Sequence, residues 1–517
     1  MKKLAGLLLS FIYLNAFANN RFFDKAIEPL MDSSQAPFYF GVASGDPDAN
    51  SVILWSKLLV KNINEIAVDW SIAADTNFNN IVQSGKIKTD TSSAFTINFM
   101  VSNLQPYTTY FYRFTYDGKN SPIGRTKTAP IQTNEVKLAV VSCNNYTNGY
   151  FNAFRAVAKR NDIDAVVHLG DYIYEYGNGK HKKAEPVRAH IPDKEILSLQ
   201  EYRSRYAQYR LDKDLQEAHR LHPFITIWDD HESANNAYKD GAQNHQTHEG
   251  EWETRKAIAK KVYFEWLPIE DNEEKTIIRK ISYGNIADIF LLDERLEARS
   301  KQLDNHKDSN YLSAERFMIG NDQADWLEQG VKNSKALWKV IGNQVMFSEL
   351  DVNGVSKKIG RIMDVWDGYP AERARIMQFF YKNEIKNIII ITGDIHSSWA
   401  FDLVADPRNK SRYNRKTGEG VIGAEFVCTS ITSSNVDERI PRGLAKMAGG
   451  LVKTKKYNPH LRFNNVVDHG YMVLTLNQEK AKADWYYVKS VRKETNKFYP
   501  VKSWETLLNK NRLTKGR

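Results

Sequence analysis

Four short segments of the chain carry side chains able to bind a metal ion: SCNNY at 142–146, GDYIYE at 170–175, WDDHESANN at 228–236 and TGDIH at 392–396. Together they offer a thiol at Cys143, carboxyls at Asp171, Asp229, Asp230 and Asp394, a phenol at Tyr174, and imidazoles at His231 and His396. Any one of them alone reads equally well as a cap or turn, because short polar side chains also close strands for backbone reasons. All four together point to a metal centre assembled from separate parts of the chain.

Each segment ends an apolar run: VKLAVVS, IDAVVHLG, FITIWDD and NIIIITGD. Three further runs, IADIFLLDE, LWKVIGNQ and AEFVCTS, share their length and their Val/Ile content. Near-continuous apolar strands belong to a sheet covered on both faces, so the expected fold class is α/β. In such sheets, ligand sites collect beyond the strand ends. EYRSRYAQYRLDKDLQEAHR and EWETRKAIAKKVYFEWL between the runs read as amphipathic helices, their aromatic residues serving packing. Upstream, from about Phe38 to Thr128, short alternating segments are separated by turn-prone pieces such as GDPDAN and YDGKNSP. That spacing predicts a small all-β sandwich like a fibronectin type III module. TAPIQTNE, 128–135, reads as the linker.

The chain has 517 residues, 42% hydrophobic content and a formal net charge of +10, enough length to bury a large core unaided. The basic residues are scattered and lack a repeated basic-aromatic spacing, which argues against a nucleic-acid partner; the excess reads by default as a solvated face, and otherwise as a surface for anionic substrates or anionic lipid. MKKLAGLLLSFIYLNAFANN combines Lys2 and Lys3, a short apolar run and Ala16-Phe17-Ala18 as a cleavage signal, so residues 1–18 are expected to direct export to the periplasm or medium. No later segment approaches the roughly 20 apolar residues of a membrane span. Export favours disulfides, yet the two cysteines, Cys143 and Cys428, fall in separate strand-like runs. Cys143 is the one placed among metal-capable neighbours. Cys428 and His168 read as buried packing residues.

The combination of SCNNY, GDYIYE, WDDHE with its following asparagines, and GDIH resembles the alkaline phosphatase D (PhoD-like) branch of the calcineurin-like metallophosphoesterases, related to purple acid phosphatases. FGVASGDPDANSVILW near the start and NPHLRF near the end extend the likeness over nearly the whole chain. The resemblance implies a two-sheet α/β sandwich over about 136–505, preceded by the small β-sandwich over about 34–130. It also implies a phosphoric ester hydrolase holding Fe3+ and Ca2+, or another divalent cation as the second metal.

Residue by residue, it implies that Asp171 bridges the two metals and that Cys143, Tyr174 and His396 complete the iron site. Asp230 and Asp394 fall at ligand positions of the second metal, and His231 at the phosphate-facing, catalytic position. Asn235, Arg295 and His460 fall where substrate contacts are expected. A thiolate, a phenolate and an imidazole around one ion suit iron, while the added carboxylates favour a hard cation. Two metals would lower the pKa of a bridging water and neutralise charge during in-line attack on phosphorus, with Asp171 holding the pair together. The expected substrates are small phosphate esters: monoesters, some diesters, and phospholipid if the enzyme is a phospholipase-D-like phosphodiesterase. A noncatalytic surface-binding protein would not need so complete a set of ligands. Asn144 stands where the family carries glutamine, and His469 lies in a segment, DHGY, that carries arginine in relatives.

Overall fold

The computed structural model describes residues 22–178 and 186–516. The expected export signal lies outside the described residues, among which no helix is long and apolar enough to cross a membrane.

Two large sheets form the body of the molecule. The first has ten strands, in the spatial order Leu513–Lys515, Lys502–Leu507, Lys480–Tyr487, Gly470–Asn477, Glu135–Val141, Ala165–Leu169, Pro223–Ile227, Val42–Gly45, Val52–Lys57 and Thr96–Val101. The second has seven: Arg279–Tyr283, Ala287–Leu291, Trp338–Asn343, Ile388–Thr392, Gly423–Val427, Ser398–Leu403 and Leu461–Asn465. The seven Val/Ile-rich runs fall on seven of these strands.

The run of isoleucines shows why the sheets stack. Successive strand residues point to opposite faces. Ile389 and Ile391 join the core shared with the first sheet, while Ile388 and Ile390 join the core beneath the outer helices Gly320–Asn333 and Pro370–Lys382. Both faces are therefore apolar, as the continuous pattern required. The outer face of the first sheet is covered by Leu199–Arg210 and Trp252–Trp266, through Tyr202, Tyr206, Val262 and Trp266. The residues expected as one long helix up to Arg220 are divided in two: Asp212 accepts hydrogen bonds from the backbone of Asp214 and Leu215 and so caps a second helix, Lys213–Leu221.

The N-terminal β region is a sandwich that shares one of its sheets with the rest of the protein. Val42–Gly45 pairs in parallel with Pro223–Ile227, so three N-terminal strands extend the ten-stranded sheet. Glu65–Ala73, Ile81–Asp90 and Thr109–Tyr116, with the short strands Lys119–Asn120 and Gly124–Lys127, form the facing sheet, and Val42, Leu54, Ile72, Tyr112 and Phe114 pack between the two.

Glu135–Val141, Ala165–Leu169 and Pro223–Ile227 are mutually parallel, as are Ile388–Thr392 and Gly423–Val427 in the other sheet. The segments following their carboxyl ends therefore meet at one edge of the molecule. Two glycines allow that meeting. Gly170, at φ +96°, passes so near Asp229 that a Cβ would lie 2.4 Å from the aspartate's own Cβ. Gly393 brings the second sheet to within 3.0 Å, measured from the same kind of position, of the Leu169 carbonyl in the first.

Candidate metal centre

Four of the metal-capable residues hold the left-handed backbone conformation that side chains other than glycine rarely adopt: Cys143, Asp171 and Asp394 at φ +58° and His396 at +60°. Such strain persists only where surrounding contacts over-determine it, and it clusters at functional sites. Here those contacts are visible. The Cys143 carbonyl accepts from the Ser433 backbone (3.2 Å) and hydroxyl (2.8 Å), and the Cys143 N–H donates to Gly170 (3.1 Å).

Sγ of Cys143, a carboxylate oxygen of Asp171 and a ring nitrogen of His396 lie within 4.8 Å of one another. The Tyr174 hydroxyl joins them, donating to Asp171 Oδ2 at 2.7 Å and standing 3.3 Å from His396 Nε2. A second convergence of the same tightness contains Asp171, Asp230 and His231. Asp171 is thus common to both groups, as a bridging ligand must be. Asp394 lies outside these two groups and is 3.2 Å from Nη2 of Arg295.

Several buried carboxylate oxygens have no hydrogen-bond donor: Oδ1 of Asp171, Oδ2 of Asp229 and Oδ1 of Asp230. Buried anionic oxygens without donors are strongly disfavoured unless a cation meets them. The titration behaviour has the same origin. Burial, with the Asp171 charge added, pushes the Cys143 thiol and the Tyr174 phenol well above their ordinary values. Burial raises Asp171 far above the carboxylate range, with His231 opposing and Asp229 and Asp230 reinforcing it, and raises Asp394 to about 7. A multivalent cation at the centre would reverse each shift, because it favours the deprotonated ligand. The donor set therefore fits a soft site at Cys143, Tyr174 and His396 beside a hard, oxygen-rich one.

The surroundings orient these side chains. His396 Nδ1 bonds the Ser434 carbonyl at 2.9 Å, leaving Nε2 toward Tyr174 and Asp171. Ser433 Oγ, which donates to the Cys143 carbonyl, also stands 2.6 Å from the Tyr174 oxygen. Glu232 accepts from the backbones of Tyr172 and Asp229, tying two strand ends together. His231 Nδ1 bonds Glu175 Oε2 at 2.6 Å, and the other Glu175 oxygen accepts from the Asn235 backbone and the Asn244 amide. Burial disfavours the charged imidazole, but Glu175, Asp230 and Asp171 outweigh it and hold His231 well above its usual value.

The predicted substrate contacts are placed unequally. Asn235 borders the centre through Glu175, its amide resting on Gln243 Oε1 at 2.7 Å. Arg295 is fully buried, and its guanidinium is engaged by Asp229 (2.5 Å), Asp364 (3.1 Å) and Asp394 (3.2 Å), with Asp230 at 3.7 Å. The fork expected to face phosphate instead neutralises carboxylates. Arg299, equally buried, bonds Asp364 and the Tyr369 hydroxyl. His460 is bound to the Glu349 carbonyl at 3.0 Å and packs on Phe401, and its contacts do not include the cluster. His168 bonds Asn144 Oδ1 at 2.7 Å, and burial brings it down to about 3, the behaviour of a neutral strand histidine. Both cysteines are free thiols.

Glu175 stands within GDYIYE, but nothing in the sequence shows it reaching His231. Ser433 and Asp364 gave no signal at all.

Residues 138–485 match the PhoD-like phosphatase family, and residues 25–130 match the N-terminal domain of PhoD-like phosphatases. The chain belongs to the PhoD-like phosphatase family. It is 36% identical to alkaline phosphatase D of Bacillus subtilis strain 168 over 474 residues, covering 87% of this chain and 78% of that protein. A solved structure of PhoD superposes with a TM-score of 0.83 at 32% identity, covering 94% of this chain and 93% of the other. Purple acid phosphatase PPD1 from yellow lupin seeds shares the fold, with a TM-score of 0.51 at 12% identity over 90% of this chain and 73% of that one. The protein is accordingly a phosphoric ester hydrolase with the metallophosphoesterase α/β architecture.

Proposed function

We propose that this PhoD-like hydrolase is an exported enzyme that cleaves phosphate monoesters and some diesters at the Asp171 centre. The observation that carries the reading is the set of donorless, buried oxygens on Asp171, Asp229 and Asp230 beside a thiol, a phenol and an imidazole. Fe3+ would be held by Cys143, Asp171, Tyr174 and His396, and Ca2+ or another divalent cation by Asp171, Asp230 and Asp394. When bound, such a pair supplies Lewis acidity, acidifying water and neutralising phosphoryl charge.

The chain's own residues supply position and protons. Glu175 fixes Nδ1 of His231, which leaves Nε2 as the free donor, 4.0 Å from Asp230 Oδ1. A protonated Nε2 at this place stabilises a phosphoryl oxygen or protonates a leaving alkoxide, roles worth a factor of about 10²–10⁴. Arg295 limits the mutual repulsion of four carboxylates, keeping them aimed at one point. Asn235, half-exposed beside Glu175, has an amide that can turn from Gln243 toward substrate.

The deciding experiment assays purified, metal-analysed protein on a nitrophenyl monoester, a bis-nitrophenyl diester and phospholipid vesicles. Hydrolysis of the small esters should disappear on chelation and return with metal. Full activity after metal removal, or inertness of the metal-loaded protein toward every ester, would overturn the reading. His231→Ala should lose turnover while retaining both metals; loss of metal would make His231 a ligand. Protein recovered outside the cytoplasm should begin at Asn19, and an intact Met1 on such active protein would refute the export step.

A further inference from the structure

The helix Arg442–Val452 follows directly on the strand-end segment that holds Tyr174 and His396, and it leaves an apolar stripe uncovered. Ala445, Gly449 and Val452 point inward. Leu444, Met447 and Leu451, spaced i, i+3 and i+7, occupy another face of the helix. Ile440 extends the stripe at the helix start, and these four residues are between 39% (Ile440) and 58% (Met447) exposed. A neighbouring loop adds Val355 and Ile359, also exposed. It abuts the helix end at Gly354, where a Cβ would stand 3.1 Å from the Tyr457 ring and 3.3 Å from the Leu451 carbonyl. Six of the sixteen exposed large apolar residues among those described thus collect in one place, which scattered surface residues do not do.

Charge distinguishes what this face meets. From Arg439 to Val467 the chain has no acidic residue, and there is none from Val352 to Met363. Arg442 is paired with Asp437 and Asp468. Lys357, Lys358, Lys446, Lys455 and Lys456 form no ion pair among the described residues. Exposed Leu, Met and Ile flanked by uncompensated lysines form the pattern of an interfacial surface on anionic lipid. A second copy of the chain would bring like charges together, which opposes self-association through this face.

We propose that the helix Arg442–Val452 and the loop around Val355–Ile359 dock the enzyme peripherally on an anionic lipid bilayer. The site lies beside this face: Ser433 and Ser434, which bond Tyr174 and His396, lead through the short turn Val436–Glu438 into the helix. Docking therefore turns the metal centre toward phosphate esters at the membrane surface. The docking stands on the exposed face alone; only the delivery of interfacial esters to the centre rests on the proposed phosphoesterase reading.

The test is co-sedimentation of the mature, metal-loaded protein with sucrose-filled vesicles of phosphatidylcholine alone or mixed with phosphatidylglycerol. The protein should bind the phosphatidylglycerol vesicles, more weakly as salt rises. L444E/M447E/L451E should lower the partition coefficient at least about tenfold by removing apolar insertion. These side chains are exposed, so the variant should keep its thermal transition and its hydrolysis of soluble nitrophenyl phosphate; Met447→Glu alone serves as the milder substitution if the triple variant misfolds. K357Q/K358Q/K446Q should reduce the preference for anionic vesicles. Equal binding by wild type and folded variants, absence of binding to phosphatidylglycerol vesicles, or dimerisation abolished by these variants without vesicle binding would each overturn the proposal. Failure to bind vesicles with soluble hydrolysis intact refutes docking alone, whereas a metal-loaded wild type inert on soluble esters refutes the phosphoesterase reading instead.

Discussion

Glu175→Gln separates a histidine held for proton transfer from one that is merely packed. The Glu175 carboxylate accepts three hydrogen bonds, from His231 Nδ1 at 2.6 Å, the Asn235 backbone at 2.9 Å and the Asn244 amide at 2.8 Å. Glutamine has nearly the same shape, but its NH2 group must face at least one of those donors. The side chain is fully buried, so water cannot repair the mismatch. A hydrogen bond to a charged partner contributes about 1.5–3 kcal/mol, and each 1.36 kcal/mol is tenfold in rate, so kcat should fall by about 10- to 150-fold. The pH profile adds a sign. Burial lowers the His231 pKa and Glu175 leads the carboxylates that raise it, so removing that charge moves the imidazolium's loss of its proton to lower pH. The alkaline limb of kcat should shift downward in the same sense. The assay is kcat and KM against pH on a soluble monoester, beside metal content and thermal unfolding. Unchanged kcat in folded, metal-replete protein would refute the proton role, and loss of metal in step with activity would place His231 among the ligands.

If Cys143 holds Fe3+, the native enzyme should show charge-transfer colour, and Cys143→Ala should lose iron and colour while Cys428→Ala keeps both, because the Cys428 thiol lies in the core against the Val140 and Thr429 carbonyls, outside both ligand groups; iron per folded chain is the measurement. Arg295→Gln should destabilise chelated protein by about 3–5 kcal/mol in denaturant unfolding, since it leaves buried carboxylates uncompensated, and added Ca2+ should recover part of the loss. Lys57 is buried against the Ser93 carbonyl and Thr96 hydroxyl, and burial brings it down to about 7 from 10.5. The unfolded chain then binds one more proton than the folded chain between pH 7 and 10.5, so this group's contribution to stability rises across that window and is lost as pH falls to 7. Lys57→Met should therefore be more stable than wild type near pH 7, by about 1–3 kcal/mol, with the difference shrinking toward pH 10.

The strands of the two sheets that end at the site were legible because each is a local pattern: Ile388–Thr392 is apolar at every position before Thr392, and only a sheet covered on both faces tolerates that. The metal-capable side chains were legible for the same reason, since each lies within a few residues of a strand end. Family resemblance then supplied roles that spacing alone did not. Tertiary structure decided the rest. Alternation shows which face of a strand is buried, but it does not name the partner strand. Val42–Gly45 looked like part of a separate sandwich and instead pairs with Pro223–Ile227, about 180 residues away. Arg295 falls where a substrate contact is expected, yet four carboxylates from distant segments close around it once the sheets stack. Glu175 acquired its place only when the strand end carrying His231 arrived beside it. A residue's type sets what it can do, whereas burial and the charges brought within a few ångströms of it select which of those things it does.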